Sequence, residues 1–299
     1  MQPLTCLVLG DINIDFSLQT PAYPPEGGRT HAERADFRLG GSGCMTAMAL
    51  SRLGCAAALA GNLGSDVLGD WSLDRITSTG TDCRFVHRLA ARQTGFFMMV
   101  ATPGGSQTTF GSRGANALPL PADEIIPELA NFNHLHISGY ILSGDDQFLA
   151  VQRILERARQ DGLSASLDPG VCSSAEAREK ILSLLPEVNY FLPNELELRQ
   201  LAGDQPQDAQ VSALLAQGCG ALILKMGERG SRYTDTGQSV SLPAVQNTAA
   251  SSLAATGAGD CFNAGFLQAI LAGASPREAL RAGNETAFRK ITNPGKFPA

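Results

Sequence analysis

The chain has 299 residues, 43% hydrophobic and 17% charged, with a formal net charge of -6. This is the composition of a globular protein that can bury a sizeable core, as one large α/β domain or two smaller ones, and it excludes disorder. No basic bias supplies the clustered Lys and Arg that nucleic acid or an anionic membrane requires, so the expected partner is a small molecule.

The first segment, MQPLTCLVLGDINID, lacks a charged start followed by a long apolar core, and no stretch approaches the roughly 18 apolar residues of a membrane span. A cytoplasmic location is expected. The run CLVLG at 6–10 reads as a buried strand, and GDINID at 10–15 as the turn leaving it. Residues 12–38 and 94–112 then alternate polar and apolar positions, as in THAERADFRL and TGFFMMVATPGGSQTTFGS, with a Pro-Gly-Gly turn at 103–105. They read as antiparallel hairpins forming a small inserted sheet, with 1–11, 39–93 and 113–299 making the main domain. Such a sheet can act as a lid that excludes water, or can be an extra edge hairpin.

Further apolar runs follow at 56–61, 134–142, 163–170, 188–194 and 221–227, with helical patterns such as 146–160 and 260–272 between them. Strand alternating with helix predicts an α/β fold: a mainly parallel central sheet, helices on both faces, and ligands bound beyond the carboxyl ends of the strands. His134 and His136 alternate with Leu135 and Ile137 as on a strand, and the four histidines form no metal-ligand pattern. The seven cysteines, without any CxxC pair, read as reduced thiols. No GxxxxGK[ST] occurs, which excludes a P-loop, and GGSG at 40–43 lacks the GxGxxG spacing of a dinucleotide loop.

The stretch SSLAATGAGDCFNAGF at 251–266 carries the clearest chemical signal. A glycine-rich turn entering a helix exposes backbone N–H groups without intrahelical partners, and the helix dipole adds positive charge there, so it attracts phosphate. Gly257 and Gly259 allow close approach. Asp260 beside a bound phosphate would repel it unless it accepts a proton from an attacking hydroxyl, the arrangement needed for phosphoryl transfer to an alcohol. The simpler alternative is an ordinary helix capped by Thr256 or Asp260.

TGAGDCFNAGF resembles the C-terminal signature of the ribokinase-like, or PfkB, carbohydrate kinase family, and LGGSGCMTAMALSRLG at 39–54 resembles its N-terminal signature. GDINID, GNLGSDVLGDWSLDRITSTG at 61–80, GSRGAN at 111–116, PNELE at 193–197, KMGERGS at 225–231 and the tail at 282–295 also find counterparts in order. The resemblance implies an ATP- and Mg2+-dependent kinase acting on a hydroxymethyl group of a sugar, with Asp260 as base and the amides of Gly257, Ala258 and Gly259 as anion hole. It implies acceptor contacts at Asn13, Asp15, Gly41, Ser42 and Met45. It also places ATP near Asn194, Lys225, Gly227, Gly230 and Asn284, gives Glu197 to magnesium, and suggests a homodimer. Read alone, NELELRQL is an Asn-capped helix start and Lys225 a solvated strand-end lysine.

Three positions depart from the family pattern. Met45 stands where an Asn is usual, which removes one hydrogen bond to a sugar hydroxyl. Ala254 and Ala255 replace the usual Asp-Thr, and by resemblance that acid helps hold a monovalent cation, so little dependence on potassium is expected. A nucleoside kinase of the same fold, with Phe16, Phe96, Phe97 or Phe110 stacking a base, and a catalytically silent binding protein are the alternatives.

Overall fold

In the computed structural model, residues 4–103, 107–170, 174–245 and 256–293 are described. The chain begins with strand β1 (Thr5–Leu9), followed by β2 (Asn13–Gln19), β3 (Arg34–Gly40), helix α1 (Ser42–Arg52), β4 (Ala56–Gly64), α2 (Val67–Thr77), β5 (Asp82–Leu89), β6 (Gly95–Ala101) and β7 (Gln107–Ser112). The chain continues through α3 (Ala122–Ile125), β8 (His134–Ser138), α4 (Asp145–Gln160), β9 (Ser164–Asp168), α5 (Ala175–Leu184), β10 (Tyr190–Phe191), α6 (Glu195–Ala202) and α7 (Gln207–Leu215). It closes with β11 (Ala221–Lys225), β12 (Ser231–Thr234), β13 (Ser239–Leu242), α8 (Ala258–Leu271) and α9 (Pro276–Thr292).

Nine strands make one sheet in the order β13-β12-β11-β10-β9-β8-β1-β4-β5, parallel except at the β11-β12-β13 edge. Central strands read as unbroken apolar runs because helices cover both faces. Leu7, Leu9, Leu135 and Ile137 face one core with Val151, Ile154 and Val211. Cys6, Val8 and Ile223 face the other with Ala47, Phe262, Phe266 and Leu280. The mainly parallel sheet with helices on both sides is therefore as expected, although the run at 188–194 contributes only a two-residue strand.

His134 and His136 fill interior positions of β8. His134 contacts the Ser164 and Ser166 hydroxyls at 2.7 and 2.8 Å, and His136 contacts Ser166 at 2.8 Å. Burial pulls both imidazoles down, to about 3 and about 4, so they stay neutral structural groups as expected. No helix among the described residues is long and apolar enough to cross a membrane.

The order reverses around β1: β4 and β5 lie on one side, β8 and β9 on the other. Loops leaving the carboxyl ends of β1 and β8 therefore part, and a crevice opens between them.

A separate four-stranded sheet has the order β3-β2-β6-β7, with two antiparallel hairpins joined by a parallel β2-β6 pair. It contains the alternating segments at 12–38 and 94–112, with β3 running on to Gly40. Of the expected turn at 103–105, only Pro103 lies within the described residues. Alternation sorts its faces: Asp15 pairs with Arg38 and Phe97, and Ser17 with Asp36 and Met99, and all of these line the crevice. The other face is apolar and aromatic. Phe16 lies 6.0 Å from Phe37 and 6.3 Å from Phe96, and Phe37 lies 5.2 Å from Trp71 of α2.

Candidate active site

The crevice has a volume of about 1760 Å³. That exceeds the roughly 300–1,000 Å³ of a single small-ligand pocket and leaves room for two substrates side by side. Its floor is built from strand ends: Asp11 and Asn13 after β1, Asp168 ending β9, Asn194 after β10 and Lys225 ending β11.

Gly257 precedes α8 with φ 80°, in the left-handed region, and no side chain caps the helix. The capping alternative for Thr256 and Asp260 is therefore not what the chain does. Instead, Asp260 Oδ1 accepts a 2.5 Å hydrogen bond from Ser42 Oγ in the first turn of α1. Among the described residues no side chain accepts from the first N–H groups of α8 beside the crevice. Burial raises the Asp260 carboxyl to about 7, with Asp168 and Asp15 adding to the shift and the Ser42 hydrogen bond and Lys225 opposing it. A carboxylate poised there suits a general base at neutral pH.

Among the described residues a Cβ at Gly259 would meet only Lys225 Nζ, at 3.8 Å, and Gly259 lines the crevice. Gly259→Ala is expected to leave the melting temperature nearly unchanged while lowering turnover at least tenfold, because the methyl would occupy anion space. Thermal melts and steady-state rates measured together check this. Unchanged turnover would count against an anion hole at 257–259.

Where β1 leads into β2, Asn13 is 5% exposed, and its Oδ1 accepts from Asn116 Nδ2 at 2.8 Å. Asn116 also bonds the Ile12 backbone at both N–H and C=O, which fixes the loop after β1. Asp15 lies against Gly40, and burial raises its carboxyl to about 6. Asp11 is likewise raised to about 6 by burial, with Arg113 opposing at 3.1 Å. Gly41 has φ 92°, and a Cβ there would strike the Asp11 carbonyl oxygen. Met45 is buried, with its Cε 2.8 Å from where a Gly257 Cβ would stand, so it packs on the turn before α8 as well as lining the crevice.

Across the crevice, the expected nucleotide residues also converge. Gly227 and Gly230 have φ 56° and 95° and line it. Asn284 accepts from Ser231 Oγ at 3.0 Å and donates to the Pro243 carbonyl at 3.2 Å, holding α9 against the β12-β13 edge.

Lys225 is not a solvated strand-end lysine. Its Nζ lies 2.6 Å from Asp168 Oδ2 and 3.3 Å from Asn263 Oδ1, and Asn263 Nδ2 donates to the same Asp168 oxygen at 2.5 Å. Burial pulls the ammonium pKa down, but Asp168 and Glu197 outweigh it and leave it above the usual lysine value. Asn194 and Glu197 form a reciprocal capping box on α6, with bonds of 2.9 and 2.7 Å. The helix-cap reading therefore describes their side chains, while both still line the crevice. Burial and then Asp168 push the Glu197 carboxyl well above its ordinary range.

Asp168 and Asn263 were not singled out from the sequence. Asp168 was legible as a lone acid ending an apolar strand before Pro-Gly, and Asn263 as the residue three places after Asp260 on the same helix face. Of the aromatic candidates for base stacking, only Phe97 faces the crevice. Phe16, Phe96 and Phe110 take the opposite face, because their register positions are odd to those lining it. Ala254 and Ala255 lie outside the described residues.

This is the ribokinase-like fold. Residues 4–297 match the pfkB family carbohydrate kinases, and the chain belongs to that family of sugar kinases. It is 26% identical to a ribokinase of Haemophilus influenzae, covering 97% of this chain and 93% of that one. It is 29% identical to fructokinase-1 of Zea mays, covering 88% and 81%. Among solved structures, Arabidopsis thaliana ribokinase complexed with ribose and ATP superposes with a TM-score of 0.86 at 23% identity, covering 100% of this chain and 95% of that one.

Proposed function

We propose that the protein transfers the γ-phosphoryl group of ATP to a hydroxymethyl group of a sugar. The observation that carries this is the entrance to α8, uncapped by any described side chain, where its first N–H groups and one half-buried acid, Asp260, share a turn. The acceptor hydroxyl gives its proton to the Asp260 carboxylate as its oxygen bonds to phosphorus. The bond from phosphorus to the ADP oxygen breaks, and the amides of 257–259 stabilise the charge on the transferring group. Asn13, Asp15, Gly41 and Ser42 hold the acceptor, and Met45 supplies an apolar contact. Asn194, Gly227, Gly230 and Asn284 border the ATP, while Lys225 acts on it through Asp168 and the crevice floor.

Magnesium, arriving with ATP, would neutralise phosphate charge when bound. The hard oxygen donors Glu197 and Asp168 fit it, and one or two carboxylates with water suffice. Among the described residues no cluster of three or more His, Cys, Asp or Glu forms a closed metal site, consistent with an ion held largely by the nucleotide.

The Asp260 position predicts the pH profile. A base acts only when ionised, so a carboxyl raised to about 7 places the acid limb of kcat/KM near neutrality rather than near pH 4. Activity should fall as pH drops below about 7, and a profile flat from pH 5.5 to 8.5 would rule out this base.

A second reading, a nucleoside acceptor, is favoured by one observation: Phe97, Met99 and Met45 give the acceptor side an apolar wall. A screen of sugars and nucleosides with ATP and Mg2+, reading ADP release, decides between them. No release with any acceptor would overturn both.

The small sheet is read as a lid, and its outer face, with Phe37 48% and Phe110 56% exposed, as the contact of a homodimer. Light scattering of the parent and a Phe110→Ser variant tests this. A monomeric parent would end the dimer reading.

A further inference from the structure

Asn116 lies in the single helical turn Gly114–Ala117 that follows the small sheet, and is 3% exposed. It stands behind Asn13, which lines the crevice where Asn116 does not. Its turn is held from two sides: Arg113 Nη2 donates to the Asn116 carbonyl at 3.0 Å, and Gln147 Nε2 to the Ala117 carbonyl at 2.5 Å. A carboxamide has one accepting and one donating end, so its orientation follows its partners. Here the Ile12 backbone dictates it. The Ile12 N–H can only donate, and gives its hydrogen to Asn116 Oδ1 at 3.2 Å; the Ile12 carbonyl can only accept, and takes one from Asn116 Nδ2 at 2.9 Å. Turning the Asn116 amide over would break both bonds. The Nδ2 fixed in this way also donates to the Asn13 side chain at 2.8 Å, so the Asn13 atom facing it has to be the oxygen. Gly95, paired in register with Asn13, closes over that contact: a Cβ there would stand 2.5 Å from Asn116 Nδ2 and 2.6 Å from Asn13 Oδ1. With its oxygen enclosed, Asn13 turns Nδ2, a pure donor, toward the crevice. Two residues along the same face of β2, Asp15 offers a carboxylate, a pure acceptor when ionised.

We propose that Asn116 is a positioning residue for the acceptor: it fixes the polarity of Asn13, so that the crevice presents a donor and then a carboxylate along β2. The pair selects acceptors with two neighbouring oxygens, one that accepts from Asn13 and one, a hydroxyl, that donates to Asp15. An apolar group in either place would leave a largely buried polar side chain unpaired. This rests on the reading of the crevice as the acceptor site of a kinase.

The test reads ADP release with D-ribose, D-fructose and any faster sugar from the screen above, recording acceptor KM, ATP KM and melting temperature. Asn13→Asp keeps an oxygen to accept from Asn116 and replaces the crevice donor by an acceptor. Its acceptor KM should rise on the order of tenfold to 10²-fold, with ATP KM within about twofold. If the parent instead turned its Asn13 oxygen to the crevice, the same change would keep that contact and leave acceptor KM where it was. Asn116→Ala frees the Asn13 amide to turn over, and should also raise acceptor KM on the order of tenfold while ATP KM stays put. In the double variant the two increases should not multiply, because Asn13→Asp has already removed the donor that Asn116 aims. Neutron diffraction from the unliganded parent, which tells nitrogen from oxygen, should place Asn13 Nδ2 on the crevice side, and it decides the orientation even where Asn116→Ala fails to fold. The proposal is overturned by an acceptor KM within about twofold of the parent in Asn13→Asp or in folded Asn116→Ala, or by Oδ1 on the crevice side. A loss that falls equally on ATP KM and follows the melting temperature also overturns it, since that is the mark of a purely structural residue. ADP release with none of the acceptors instead removes the kinase reading itself, and the neutron result still tests the orientation of Asn13.

Discussion

Asp260→Asn should fold, bind ATP and turn over 10² to 10⁴ times more slowly than the parent, the usual worth of a positioned general base. Asparagine keeps the shape of aspartate, and its Oδ1 can still accept the Ser42 hydroxyl now 2.5 Å from the carboxylate. What it loses is the ability to take a proton at neutral pH. Stability should respond in the opposite sense. A carboxyl raised from 3.8 to about 7 by burial contributes stability that is fully present below pH 3.8 and lost as pH rises through about 7. At pH 8 the parent therefore carries the cost of a partly buried charge, and the neutral variant should melt no lower than the parent. Turnover close to the parent rate would remove Asp260 from the mechanism, and a large fall in melting temperature would mean that its main role is structural.

Lys225→Met should be the most destabilising single change in the crevice floor. Lys225 and Asp168 are both largely buried and only 2.6 Å apart, with Asn263 and the Gly170 N–H as the carboxylate's other partners. Removing one member of such a pair leaves a buried charge uncompensated, at a cost of about 3–5 kcal/mol. In the parent, burial pushes Asp168 up but Lys225 and Asn263 outweigh it, so its pKa lies below the ordinary value. That stability is present above pH 3.8 and is lost as pH falls below it. In the variant burial acts unopposed by Lys225, so the sign reverses and the deficit should shrink on acidification. Adding Asp168→Asn should recover much of the loss at neutral pH, because the orphaned charge is gone. Urea unfolding of the single and double variants checks both, and a single variant within about 1 kcal/mol of the parent, the worth of an exposed pair, would show that water reaches this pair.

The parallel sheet, the small inserted sheet and the α8 entrance were all legible in the chain because each is a local pattern. Apolar runs alternate with helical periods, 12–38 and 94–112 break that rhythm, and glycines precede a lone acid. Backbone demands of this kind lie within a few residues of one another and need no knowledge of the rest of the molecule.

Tertiary structure alone decided the partners. Ser42 meets Asp260 across 218 positions, Asn263 meets Asp168 across 95, and Lys225 meets Asp168 across 57. The same holds for which face of the small sheet Phe97 takes and for the approach of Lys290 to Gly257, both settled by register and by helix packing. Asp260 and Asp168 are both acids at the edge of an apolar segment. One is raised to about 7 and the other lowered, because burial and like charges outweigh the Ser42 hydrogen bond at Asp260, while an ammonium and an amide outweigh burial at Asp168. A residue's type and its neighbours in sequence set what it can do, but burial and the charges brought beside it set its protonation, and those come from parts of the chain that meet only on folding.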